Sequence, residues 1–119
     1  MKKILVADDS LFMRKMLIGI LSEKYEVIEA SDGDTARELF KKEKPDLVLQ
    51  DIIMPKGEEE GLLVLKDIMK TNPKAKVIMI TAVGHEEIIA ECKKLGAVDY
   101  ITKPFDEENI IERAEKHLR

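Results

Sequence analysis

Short apolar runs alternate with amphipathic stretches along this whole chain, and that alternation leaves few architectures open. Ile4–Ala7, Leu47–Leu49, Val77–Ile80 and Val98–Ile101 are each too short for a helix and rich in Val, Ile and Leu. Tyr25–Ala30 is a fifth run in which Glu26 and Glu29 interleave with Val27 and Ile28, as expected for a less buried edge strand. Helical spacing fills the gaps. Met13, Met16, Leu17, Ile20 and Leu21 form one stripe behind an N-cap at Ser10, and Ala36, Leu39 and Phe40 form another that ends before Pro45. A third helix from about Gly61 to Lys70 buries Leu62, Leu65, Ile68 and Met69, and Asn72-Pro73 stops it. Ile88, Ile89, Cys92 and Leu95 mark a fourth, with Gly96 just past its end. The fifth has Asp106 as N-cap, Phe105 and Ile110 spaced as a hydrophobic staple, and Ile110, Ile111, Ala114 and Leu118 inward. Strand then helix, five times, defines an α/β fold with a parallel sheet.

Its size and composition fit one domain over residues 1–119 with a single core: 119 residues, 45% hydrophobic. A net charge of −4 and no cluster of more than two basic residues argue against nucleic acid as a ligand. No apolar stretch is long enough for a signal peptide or membrane span. The lone Cys92 cannot form an internal disulfide and fits the core stripe of the fourth helix, so the expected setting is the cytoplasm. The six methionines read as core filling.

In a parallel α/β sheet the ligand crevice lies beyond the carboxyl ends of the strands. Asp8, Asp9, Asp51, Thr81 and Lys103 all fall at or just after strand ends. Three acids, a hydroxyl and an ammonium converging there suit a hard divalent cation plus an anionic phosphoryl group. Taken alone, each is commonplace: an acidic turn, a loop cap, a strand threonine, a Lys-Pro surface turn. Their joint placement is what carries the reading.

The segments Asp8-Asp9-Ser10, Asp51-Ile52-Ile53-Met54-Pro55, Thr81-Ala82 and Lys103-Pro104-Phe105, in this order and at these strand ends, resemble the receiver domain of two-component response regulators. The resemblance spans the chain, and Asp9 to Arg14 is similar to single-domain chemotaxis receivers. It implies a flavodoxin-like, doubly wound sheet of five parallel strands in the order 2-1-3-4-5 with five helices. It also implies a phosphorylation-operated signalling switch, not a conventional enzyme. Asp51 would accept a phosphoryl group from a sensor histidine kinase. Asp8, Asp9, Asp51 and the backbone carbonyl of Ile53 would hold Mg²⁺. Thr81 and Lys103 would contact the phosphoryl oxygens, and Lys103-Pro104 would be cis. Thr81 and Tyr100 would form the switch, reporting to a downstream protein at the face of helix 4, strand 5 and helix 5. The expected state is a monomer or weak dimer, with neither nucleic acid nor membrane as partner.

Two features depart from the family pattern. Gly61 stands two residues farther from Asp51 than the usual glycine, so Gly57–Gly61 reads as an extended, mobile loop with Glu58, Glu59 and Glu60 solvated. The site-flanking Ile53 and Val83 are apolar, which would shield the phosphoryl group from water. His85 reads as a loop or capping residue. Two other functions remain open: a Mg²⁺-dependent phosphatase with an aspartyl-phosphate intermediate, disfavoured because Asp8-Asp9-Ser10 lacks that class's Asp-x-Asp spacing, and a degenerate receiver acting only as a binding module.

Overall fold

The computed structural model describes residues 1–57, 59–82 and 85–119. Within them the elements are β1 (Lys3–Ala7), α1 (Leu11–Leu21), β2 (Glu26–Ala30), α2 (Gly33–Glu43), β3 (Leu47–Asp51), α3 (Glu60–Thr71), β4 (Val77–Thr81), α4 (Glu86–Lys94), β5 (Asp99–Thr102) and α5 (Glu107–Leu118). The strands form one parallel sheet in the order β2-β1-β3-β4-β5, as expected.

Because strand side chains alternate between faces, each strand feeds two apolar layers. Leu5, Ala7, Val48, Val77 and Met79 pack with α2, α3 and α4; Ile4, Val6, Leu47, Leu49, Ile78, Ile80 and Ile101 pack with α1 and α5. Both faces of the three central strands are covered, which is why their sequences read as continuous apolar runs. β2, at the edge, keeps partial exposure.

The caps sit where hydroxyl and carboxylate side chains reach amide donors. Ser10 Oγ accepts from Met13 N at 3.2 Å and Asp106 Oδ1 from Asn109 N at 2.7 Å. Asp32 caps α2 in the same way, accepting from Thr35 N at 2.7 Å, a cap absent from the sequence reading. Gly96 follows α4 with φ 105°, the left-handed conformation that suits a C′ glycine. Cys92 is buried, as expected.

Three expectations need correction. Met1 and Met16 are exposed, so the methionines are not uniformly core filling; Met16 lies at the outer edge of the α1 stripe. Val98 is exposed and precedes β5, which runs one residue later than expected, through Thr102. Glu60 is not a solvated loop acid. It opens α3, is 6% exposed, and its Oε1 accepts from Lys56 N at 2.9 Å. The two extra residues let the loop fold back between Met54 and Gly57, which bridge to each other, so Glu60 is carried inward against Gly33 of α2. Glu58 lies outside the described residues.

Candidate functional site

Strand parity assembles the site. Asp8, Asp51 and Lys103 each stand two residues beyond a core residue of the α1/α5 layer, namely Val6, Leu49 and Ile101. They therefore project to the same side of the sheet at its carboxyl edge. Asp8 and Asp51 are buried and Asp9 is exposed. One carboxylate oxygen from each of these acids lies within 4.8 Å of the others. Lys103 Nζ lies 3.2 Å from Asp8 Oδ2 and 3.1 Å from Asp51 Oδ2. The two remaining oxygens are held by main chain: Ser10 N donates to Asp8 Oδ1 at 2.9 Å, and Ile53 N to Asp51 Oδ1 at 3.3 Å.

Arg14 steadies the acidic turn from behind. Its NH1 donates to Asp8 O at 2.9 Å while its Nε pairs with Glu29 at 2.8 Å. On the far side, Lys103 N donates to Thr81 O at 2.7 Å, and Lys103-Pro104 is cis as expected. Thr81 is buried two residues beyond Met79, and so belongs to the opposite side of the sheet, with the α3/α4 layer. Tyr100 is half-buried against that same layer, with Lys93 Nζ 6.0 Å from its ring centroid.

The electrostatics are set by crowded carboxylates beside the Lys103 ammonium. Burial, then the neighbouring Asp8 carboxylate, pushes Asp51 up to about 6, against the pull of Lys103 and the Ile53 N–H. Burial works against the charged form of Lys103, but Asp51 and Asp8 outweigh it and hold its ammonium above the ordinary lysine value. Crowded carboxylate oxygens of this kind fit a hard divalent ion, for which aspartates are suitable ligands.

Ile53 is exposed at the rim, where a cavity of about 760 Å³ opens between Ile53, Glu59, His85 and Ile88. His85 sits at the N-cap position of α4, but its side chain makes no capping bond. Val83 lies outside the described residues. Two buried polar residues near the site escaped the sequence reading: Gln50, hidden inside an apolar run, and Glu60, hidden in a run of glutamates.

Residues 4–115 match the response regulator receiver domain, and the chain belongs to that family. It is 46% identical over 114 residues to protein CcdB of Bacillus subtilis, covering 94% of this chain and 93% of that protein. It is 43% identical over 117 residues to the chemotaxis protein CheY of Thermotoga maritima, covering 97% and 96%. Among solved structures, the CheY-like receiver from Methanospirillum hungatei superposes with a TM-score of 0.93 at 30% identity, over 99% of this chain and 94% of that one. The CheY of a CheX–CheY–BeF3–Mg complex from Borrelia burgdorferi gives 0.90 at 36% identity, over 97% and 87%. The fold, the acidic pocket and these likenesses make the protein a phosphorylation-controlled response regulator like CheY, a signalling protein and not a conventional enzyme. Among the described residues, no helix is long and apolar enough to cross a membrane.

Proposed function

We propose that Asp51 is the phosphoacceptor, that Asp8, Asp9 and Asp51 hold Mg²⁺ together with the backbone carbonyl of Ile53, and that the donor is a sensor histidine kinase in the cytoplasm. The observation carrying this is the Asp51 carboxylate, 5% exposed, with Lys103 on one oxygen and the other oxygen on the Ile53 N–H. One oxygen of Asp51 bonds to phosphorus as the bond from phosphorus to the donor imidazole nitrogen breaks, and that nitrogen keeps the electron pair. The chemistry a bound Mg²⁺ supplies is charge neutralisation between two anionic reactants. Lys103, already between Asp8 and Asp51, supplies a mobile point charge to the incoming phosphoryl oxygens. Thr81 donates its hydroxyl to one of those oxygens. Downstream, the face of α4, β5 and α5 contacts a protein target, and the solved complex of a related CheY with CheX supports a protein in that role.

Acetyl phosphate with Mg²⁺, read by intact mass, tests the assignment. The wild type is expected to gain one phosphoryl group, and Asp51→Ala or excess chelator to abolish the gain. Persistent full labelling in either case refutes it.

A further inference from the structure

Gln50 and Glu60 are the buried polar residues, among the described ones, that this chemistry leaves without a role, and Gln50 is the one that touches Asp51. Gln50 is 0% exposed on β3, immediately before Asp51. Parity puts it on the α3 side between Val48 and Ile52, in register with Ala7, Met79 and Tyr100 of the same apolar layer. Its Nε2 donates to the main-chain carbonyl of Asp51 at 2.9 Å. Its Oε1 is buried without a hydrogen-bond partner among the described residues.

Packing alone does not call for such a residue. An apolar side chain of similar shape would remove the orphaned acceptor but would also leave the Asp51 carbonyl without this donor, so the two effects on stability oppose each other. The contact to Asp51 does explain it. The same carbonyl faces Gly61, where an added Cβ would collide with it, so α3 and the Gln50 amide bracket the peptide plane that follows Asp51. On the opposite side of the sheet, Lys103 and the Ile53 N–H hold the carboxylate.

We infer that Gln50 is a positioning residue for the phosphoacceptor: its amide fixes the Asp51 main chain and so sets the line along which the carboxylate meets phosphorus. This rests on Asp51 being the acceptor. Misaligning a reacting group costs rate without needing to cost stability.

The test is Gln50→Met and Gln50→Leu in the full chain, labelled with acetyl phosphate at saturating Mg²⁺. Both variants are expected to label roughly tenfold more slowly, with a thermal midpoint close to wild type, because the donor lost by the Asp51 carbonyl and the unpaired acceptor removed offset each other. The ¹³C resonance of the Asp51 carbonyl should shift as its hydrogen bond is lost. Wild-type labelling rates in the variants, with the carbonyl resonance unmoved, would overturn the inference, and a fall in thermal midpoint alone would mark a purely structural role. Should neither variant fold, hydrogen exchange at the wild-type Gln50 amide decides: slow exchange supports the contact, and solvent-like exchange overturns it. If the wild type itself fails to label at Asp51, the acceptor assignment falls, and the inference with it. If the wild type labels and the variants match it, only the role of Gln50 falls.

Discussion

Asp51 is the residue at which stability and chemistry pull in opposite directions. Its carboxyl is pushed up to about 6, first by burial and then by Asp8. An acid whose folded-state pKa exceeds its unfolded value binds its proton more tightly when folded. Its contribution to stability is therefore favourable at low pH and declines as pH rises from the ordinary 3.8 through about 6. With chelator present, Asp51→Asn should raise unfolding stability by on the order of 1 kcal/mol near pH 8, the gain shrinking toward pH 4. Denaturant melts at both pH values check this, and a pH-independent difference would refute it. Ile53 makes a second prediction at this scale. Its apolar side chain at the rim cannot orient water, so Ile53→Asn should shorten the phosphoryl lifetime, roughly severalfold, as read by the decay of labelled mass. The acids and Lys103 were legible in the sequence because each ends an apolar run at a strand terminus. Gln50 was not, because one polar letter inside such a run looks like its end: the predicted strand stopped at Leu49, whereas β3 continues through Asp51.

Among the elements, the start of α3 sits hard against the end of β3. Gly61 N donates to Ile52 O at 2.8 Å, and a Cβ at position 61 would run into the backbone of Asp51 and Ile52. Gly61→Ala should therefore destabilise by about 2 kcal/mol and slow labelling, since the displaced atoms belong to Asp51, the proposed acceptor, and to Ile52. Gly19 is the counterexample: nothing lies within 4 Å of its added Cβ, and it sits in the middle of α1. Gly19→Ala should stabilise by about 0.5–1 kcal/mol with labelling unchanged. Thermal melts and labelling rates on the two variants separate these outcomes. Element types and sheet order were readable from period and turn residues. The burial of Glu60 was not, because three adjacent glutamates are indistinguishable until the path of the loop decides which one turns inward, against Gly33.

For the molecule as a whole, the proposed signal runs from Thr81 to Tyr100. Both residues belong to the α3/α4 side of the sheet, one at the end of β4 and the other on β5. A hydroxyl that gains a charge-assisted bond only when phosphate is present biases the packing around it. Thr81→Ala should still accept phosphate at Asp51, while chemical-shift changes at Tyr100 and along α4 on adding a phosphate mimic fall to a small fraction of wild type. Full-sized changes in the variant would show that Thr81 does not carry the signal.

The alternation of strand side chains has a further consequence. By parity Asp8, Asp51 and Lys103 stand on one side of the sheet and Thr81 and Tyr100 on the other, so in the proposed mechanism Thr81 is the point at which a charge received on one side reaches the other. Substitutions beneath α4 and around Tyr100 should then change who listens. New listeners can be acquired around Tyr100 while Asp8, Asp51 and Lys103 are left intact. On that proposal the sheet, beyond its part in the core, makes such a signalling module reusable.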